Sequence, residues 1–383
     1  MNKPRRLPPL LAQTTQEFPW RTGHTVELLI NGDQFFPPML RSMELAKHRI
    51  WIEIYLVASG KLLQRFIKVW CDAALRGVDV RLCYDDVGSR DFHEADQQRL
   101  MQAGVQLACY NPRQLRRPLT NFLRDHRKLI LIDEDTVYIG GTGFSDDFSP
   151  ELNHAHWRET LVAVHGPVAL DWELLFLNVW RHNLTHPVLT AAKSYAGHTT
   201  RSRINASQAD FPGRIQAHLV VAMRHAKERI WLATPYFIPP RRLRKALRRA
   251  AQRGVDVRLL IPGEHSDHPW LRLFSQGFYP RLLHHGIKIY EYQPRFLHMK
   301  VMLCDNWVSV GSSNLDRWGM FWNLEANQEF YDPQLASSVQ NMLIQDFSES
   351  SQIEVFRPQR WSLQLRLLLQ GLIRHLERWR LKP

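Results

Sequence analysis

The chain contains 383 residues, of which 44% are hydrophobic, and its formal net charge is +13 at pH 7. This length favours two or three domains, each able to bury a core, and the charge favours a polyanionic partner, either nucleic acid or an anionic membrane surface. The four cysteines have no paired spacing, which argues against a disulfide framework or a cysteine metal site and favours reduced packing residues.

Strands and helices alternate along the first half. The order predicted is strand, helix and strand within 24–57, a helix over 61–76, a strand over 78–86, a helix and a strand within 95–111, two strands within 126–141, and a strand with a long helix within 157–183. This alternation predicts an α/β fold with a parallel or mixed sheet. The second half follows the same order.

The two halves are copies of one unit. The segment RGVDVRL at 76–82 recurs unchanged at 253–259, and AKHRIWIEIY at 46–55 is echoed by AKERIWLATPY at 226–236. Such a repeat indicates duplication of a whole α/β unit. The predicted boundaries are an N-terminal domain over 1–184, a linker over 185–210, a C-terminal domain over 211–356 and a basic amphipathic helix over 357–383.

Each copy contains a strand with a histidine, a lysine two residues later and an aspartate at its end. The two sets are His126, Lys128 and Asp133, and His298, Lys300 and Asp305. Side chains two apart in a strand share a face, and polar groups on a buried strand are costly unless they meet something anionic. One isolated copy is explained equally well by a core histidine beside a snorkelling lysine. Repetition of the pattern favours a shared anionic ligand.

The doubled H-x-K-x-x-x-x-D motif, each copy followed by a Gly-rich turn, resembles the phospholipase D superfamily. Flanking segments such as TPYFIPP, GSSNLD and NLEAN make the chain most similar to its bacterial cardiolipin synthases, from about residue 26 to residue 347. The resemblance implies a phospholipase D fold: two similar α/β domains related by a pseudo-twofold axis, with one active site at their interface.

The resemblance also implies roles for the motif residues. One histidine attacks phosphorus and the other protonates the leaving oxygen, which gives His126 as the nucleophile and His298 as the acid and base. Lys128 and Lys300 supply the positive charge that other phosphoryl-transfer sites take from magnesium, so no metal or cofactor is expected. Asp133 and Asp305 complete the predicted catalytic motifs, more as structural anchors than as proton carriers.

Members of the superfamily also have a carboxylate after each motif that orients the histidine of the other motif. By this resemblance Glu325 is the partner of His126, and Glu159 is the partner of His298. Glu159 is also consistent with an ordinary surface strand residue.

Substrate contacts are expected from the Gly-rich turns, at Gly141, Ser312 and Asn314. Gly143 stands where the superfamily usually has asparagine. Restoring the asparagine by the substitution Gly143→Asn is expected to leave activity equal or higher. Asp85, Asp86 and Ser89 follow the end of a strand, where α/β sheets often bind ligands, and a pocket role is open for them.

The last segment, 357–383, places leucines along one helical stripe between Trp361 and Trp379, with basic residues around it. This pattern is typical of a helix lying in the plane of an anionic membrane surface, although a helix docking on the second domain has the same periodicity. Prolines interrupt the apolar residues near the N-terminus, so no signal peptide is predicted, nor is a bilayer-spanning segment. We therefore expect a peripheral protein on the cytoplasmic side of the bacterial inner membrane.

The leading hypothesis is phosphatidyl transfer between phospholipids through a phosphohistidine, which makes cardiolipin from phosphatidylglycerol and a second phosphatidyl donor. The same residues would serve phospholipase D hydrolysis, in which water is the acceptor. A nucleic-acid phosphodiesterase is the alternative from another class, and only that alternative has nucleic acid as a partner. The sequence leaves donor, acceptor and oligomeric state open.

Overall fold

The computed structural model describes residues 3–9, 17–114, 116, 118–181, 194–195, 197, 199–207, 213–316 and 322–356. The predicted basic helix over 357–383 lies outside the described residues. Within the described part of the chain, no helix combines the length and the apolar character needed to cross a bilayer.

The first half forms an eight-stranded mixed sheet. Its strands, in spatial order, are β1 (Arg5–Leu7), β5 (Gln106–Tyr110), β4 (Asp79–Asp85), β3 (Arg49–Ile54), β6 (Lys128–Ile132), β7 (Thr136–Gly140), β8 (Thr160–His165) and β2 (Thr25–Ile30). The strands from β1 to β3 pair in parallel, and every pairing from β3 to β2 is antiparallel. The motif strand β6 therefore lies in the middle of the sheet, beside β3.

The second half repeats this sheet. Its strands, in spatial order, are β18 (Ser350–Ile353), β13 (Lys288–Tyr292), β12 (Asp256–Pro262), β10 (Arg229–Ala233), β14 (Val301–Cys304), β15 (Trp307–Gly311), β17 (Ala326–Tyr331) and β9 (Arg201–Ala206). The short strands β11 (Phe237–Ile238) and β16 (Leu315–Asp316) pair separately. The α/β class and the duplication predicted from sequence are confirmed. One difference is that β9 occupies six residues of the range expected to be the linker.

Helices cover the sheets. The α-helices within the described residues are α1 (Asn31–Leu45), α2 (Lys61–Leu75), α3 (Glu94–Gln102), α4 (Ala169–Arg181), α5 (Arg214–His225), α6 (Arg241–Gln252), α7 (Pro269–Gln276), α8 (Tyr279–Leu283) and α9 (Pro333–Ser348), and short 3-10 turns span Pro118–Phe122 and Asp146–Phe148. Both motif strands are buried along their whole length, because helices or the other half lie over each face.

One hydrophobic core joins the two halves. It contains Val137 of the first sheet and Val308 of the second, together with Trp172 of α4 and Val339 of α9. Separate clusters lie on the outer side of each sheet. Because the central core is continuous, packing of apolar side chains fixes the position of one motif strand relative to the other.

The motif aspartates anchor the far ends of the motif strands. The Asp133 carboxylate accepts backbone N–H groups of residues 47, 48 and 49, and the Asp305 carboxylate accepts those of residues 227, 228 and 229. Both aspartates have positive φ, near 50°, a conformation that aspartate tolerates better than most residues. Each therefore ties the turn after a motif strand to the start of the neighbouring strand, as the anchor expectation required.

Candidate active site

Backbone pairing across the interface positions both histidines. The His126 N–H donates to the Leu324 carbonyl at 2.9 Å, and the His298 N–H donates to the Arg158 carbonyl at 2.9 Å. Leu324 and Arg158 each immediately precede the carboxylate predicted to serve the histidine of the other half. The two halves therefore exchange equivalent backbone contacts.

The first histidine contacts a carboxylate from the second half. His126 Nδ1 lies 3.0 Å from Glu325 Oε2, and the Glu325 side chain is fully buried. The Ser312 hydroxyl donates to the same oxygen, and the Ser207 hydroxyl accepts the Glu325 backbone N–H at 2.7 Å. Because Nδ1 is occupied, Nε2 is the nitrogen left for a phosphorus atom or a proton.

The second histidine contacts a carboxylate from the first half. His298 Nδ1 lies 2.6 Å from Glu159 Oε2, and the other Glu159 oxygen accepts the Thr160 backbone N–H at 2.8 Å. Glu159 is fully buried, so it is not a surface strand residue. The structure thus places both predicted carboxylates beside the expected histidines.

The two lysines lie against the histidines of their own motifs. Lys128 Nζ donates to the His126 carbonyl at 2.7 Å, and its ammonium lies 5.1 Å from the centre of the Tyr55 ring. Lys300 Nζ lies 3.1 Å from each ring nitrogen of His298. Without a bound anion, an ammonium this close favours a neutral imidazole, because it would repel an imidazolium.

The Gly-rich turns support the two carboxylates differently. A Cβ at Gly141 would lie 2.4 Å from Glu159 Oε2, so glycine leaves the room that this carboxylate occupies. The corresponding residue of the second half is Ser312, whose hydroxyl bonds Glu325. Asn314 is nearly buried, and its side-chain oxygen has no hydrogen-bond partner among the described residues. Gly141 and Ser312 therefore contact catalytic-site carboxylates, while Asn314 keeps an unused acceptor.

The comparisons with known proteins agree with this architecture. Residues 39–180 and 219–347 match the family model described as cardiolipin synthase, PLD-like domain, where PLD denotes phospholipase D. The chain belongs to this family.

Individual relatives cover most of the chain. It is 34% identical to cardiolipin synthase 2 of Bacillus anthracis, over 86% of this chain and 66% of that protein's length. It is 31% identical to cardiolipin synthase B of Salmonella typhi, over 93% of this chain and 89% of that protein. A crystal structure of phosphatidylserine synthase from Haemophilus influenzae superposes with a TM-score of 0.70 at 13% identity, covering 97% and 96% of the two chains. That likeness establishes the two-domain phospholipase D fold.

Burial dominates the electrostatics of the family's paired motifs in this chain. Burial, followed by the nearby ammonium groups of Lys128 and Lys300, lowers the pKa of His126 and of His298 well below the usual value. Burial also lowers the pKa of Lys128 to about 7 and that of Lys300 to about 8, and it raises the pKa of Glu325 to about 8. All three shifts reduce charge in the site. A bound phosphodiester would reverse those of the lysines, since its negative charge favours the ammonium form.

Aromatic rings enclose the histidines. The Tyr55 ring centre lies 4.8 Å from that of His126, and the Trp157 ring centre lies 4.8 Å from that of His298. Phe148 and Phe296 contact His298 at 5.6 and 5.7 Å. These rings account for much of the burial that shifts the histidine pKa values. The sequence pattern does not reveal their role, because aromatic residues beside strands are usually core residues.

Gly143 does not mark a lost asparagine. A Cβ at this position would lie 2.8 Å from both the Leu56 carbonyl oxygen and the Leu56 Cβ. Any side chain must therefore displace the Leu56 backbone, which argues on steric grounds against the gain expected from Gly143→Asn.

Asp85 has a structural contact set. Its carboxylate accepts the backbone N–H groups of Val87, Gly88 and Asp125, the last of which precedes His126. Ser89 likewise donates to the Tyr55 carbonyl, and Asp86 pairs with Arg113. These contacts hold loops beside the site.

A buried ion pair joins the halves behind the site. Arg158 donates to both carboxylate oxygens of Asp346, on α9, at 2.9 and 2.8 Å. Since the Arg158 carbonyl also accepts the His298 N–H, this pair helps to position the second motif. Neither residue carries a local sequence signal, because they lie 188 positions apart.

Proposed function

We propose that this chain transfers a phosphatidyl group between phospholipids and makes cardiolipin from phosphatidylglycerol and a second phosphatidyl donor. The observation that carries the proposal is the pair of histidines, each bonded through Nδ1 to a buried carboxylate of the other half. Two such imidazoles in one site can divide the roles of nucleophile and proton carrier. Membership of the cardiolipin synthase family supports phospholipids as the substrates.

In the first step His126 Nε2 attacks phosphorus and forms a P–N bond. The P–O bond to the leaving head group breaks. His298, which takes up a proton at Nε2 when the negative charge of the phosphodiester is bound beside it, gives that proton to the leaving oxygen. Glu325 stabilises the positive charge that develops on His126, since its carboxylate accepts the Nδ1–H. Lys128 and Lys300 stabilise the phosphoryl oxygens by their positive charge.

In the second step His298 removes the proton from the hydroxyl of the acceptor lipid. The acceptor oxygen attacks phosphorus, the P–N bond breaks, and its electron pair returns to His126. Glu159 holds the His298 ring so that Nε2 faces the alcohol in both steps. The catalytic set we propose is therefore the two histidines, the two lysines and the two glutamates, with Ser312, Gly141 and Asn314 as supporting or substrate-contacting residues.

The substrates place the reaction at a membrane surface. We propose peripheral attachment on the cytoplasmic side of the inner membrane, with the basic segment 357–383 as the anchor. Deletion of 359–383 should weaken binding to anionic vesicles while preserving turnover of a short-chain soluble phosphodiester. Vesicle binding that survives the deletion would place the anchor elsewhere.

The experiment that tests the function uses purified protein and vesicles containing labelled phosphatidylglycerol. We expect labelled cardiolipin and released glycerol, and no product from His126→Ala or His298→Ala at an unchanged melting temperature. Phosphatidic acid as the dominant product would show hydrolysis instead. Cleavage of DNA or RNA without turnover of lipid would establish the nuclease alternative.

A further inference from the structure

A carboxylate lies near the second motif, connected to His298 through two aromatic side chains. Asp267 lies in the loop between β12 and α7, and its carboxylate accepts a hydrogen bond from the Tyr236 hydroxyl. The Tyr236 ring centre lies 6.5 Å from that of Phe296, which in turn lies 5.7 Å from that of His298. The Asp267 side chain is 24% exposed, so it is held in place and still reachable by a ligand.

Asp267 is also electrostatically coupled to the site. Although burial lowers the pKa of Lys300 to about 8, the negative charge of Asp267 opposes that shift, as do Glu159 and Glu325. Nε2 of His268, on the same loop, lies 3.8 Å from Asp267 Oδ2. Asp267 therefore shares the electrostatic environment of the second motif.

The first half carries the opposite charge at the matching place. The offset that pairs Arg76 with Arg253 in the repeat also pairs Arg90 with Asp267. Arg90 is near enough to Tyr55 for its positive charge to oppose the upward shift that burial causes in the Tyr55 pKa. Tyr55 directly follows β3 and contacts His126, and Tyr236 follows the end of β10 by three residues. The first half therefore has Arg90, 3.9 Å from Asp91, at the position where the second half has Asp267.

A carboxylate near His298 suits the hydroxyl groups of an alcohol. A carboxylate repels a phosphate but accepts hydrogen bonds from hydroxyl groups, and two adjacent hydroxyls can bond its two oxygens. In the proposed reaction His298 exchanges its proton with an alcohol in both steps. A glycerol that leaves beside His298 carries two further hydroxyls, and the glycerol head group of an attacking phosphatidylglycerol carries one; each needs an acceptor.

We propose that Asp267, positioned by Tyr236, binds the free hydroxyls of the glycerol head group that leaves or attacks beside His298. This inference rests on the proposed function and adds its acceptor specificity. Asp267 would favour a vicinal diol over water and over simple alcohols. It would thereby bias the phosphohistidine toward transfer instead of hydrolysis.

The test compares the full-length wild-type protein with Asp267→Asn, Tyr236→Phe and the control Glu264→Gln. Glu264 is an exposed carboxylate on the same loop, so its replacement removes an equal charge. The readouts are the ratio of cardiolipin to phosphatidic acid from phosphatidylglycerol vesicles, and the ratio of transfer to glycerol over transfer to 1-propanol. We expect both ratios to fall about tenfold in Asp267→Asn, equivalent to about 1.4 kcal/mol. We expect a smaller fall in Tyr236→Phe and none in Glu264→Gln.

A purely structural role of Asp267 would lower transfer and hydrolysis together and leave both ratios unchanged. Unchanged ratios in a folded Asp267→Asn overturn the inference. If that variant does not fold, unchanged ratios in Tyr236→Phe overturn it. A wild-type protein that forms neither cardiolipin nor phosphatidic acid contradicts the proposed function itself, and the two failures are therefore distinguishable.

Discussion

Replacement of Ser312 by alanine tests whether the hydroxyl on Glu325 matters to the first histidine. The Ser312 hydroxyl donates to Glu325 and accepts the Ala326 N–H at 3.0 Å. A hydrogen bond to a charged group contributes about 1.5–3 kcal/mol, and each 1.36 kcal/mol in a barrier corresponds to about tenfold in rate. We therefore expect kcat/KM to fall on the order of ten- to a hundredfold in Ser312→Ala.

The pH profile gives a second, independent readout. The Ser312 hydrogen bond lowers the pKa of Glu325, which burial has raised to about 8. Its loss raises that pKa further, so the carboxylate form that His126 needs is reached only at higher pH. The rising limb of the plot of kcat/KM against pH should therefore move to higher pH. This shift is a property of the coupled Glu325–His126 pair.

The matched control is Ser313→Ala, which removes a neighbouring buried hydroxyl that lies 3.5 Å from the Asn314 carbonyl. It should retain the wild-type rate and profile on phosphatidylglycerol vesicles. A Ser312→Ala protein with wild-type kcat/KM and an unchanged pH profile would show that the Ser312 hydroxyl does not affect the first histidine. Equal losses in both variants, with lowered melting temperatures, would assign the serines to folding only.

Three further outcomes follow from the site. Lys128→Ala or Lys300→Ala should each slow turnover by about two decades or more through lost charge stabilisation, and EDTA should not inhibit the wild type; a fully active lysine variant contradicts this. Gly143→Asn should lower the melting temperature, with an overpacking cost of about 1–3 kcal/mol, and wild-type stability would show that Leu56 moves aside. Sulfate should raise the melting temperature more at about pH 6.5 than at about pH 9. Binding of an anion needs the ammonium forms of Lys128 and Lys300, and these are lost as pH rises through their lowered pKa values. Calorimetry that finds equal shifts at both pH values would contradict this prediction.

Local sequence pattern determined the α/β class, the duplication and the two motif strands. These features repeat at fixed offsets, and a strand buried on both faces has a continuous apolar run that is visible in one dimension. The paired carboxylates were predicted only through resemblance to a superfamily, because Glu325 lies 199 positions from His126. Residues 201–206 fall in the range predicted to be a linker because it is polar and without periodicity, yet they pair with β17 as an edge strand.

Tertiary structure alone decided how the two copies differ. Ser312 and Gly141 occupy matching turns, but only the packing shows that one supplies a hydroxyl to Glu325 and the other makes room for Glu159. The steric role of Gly143 depends on Leu56, which reaches it from another strand end. The Arg158–Asp346 pair likewise forms only when α9 packs against the first half. Such contacts form where distant chain segments meet, and the packing of the two sheets around a shared core determines where that is. Local sequence periodicity therefore cannot predict these contacts.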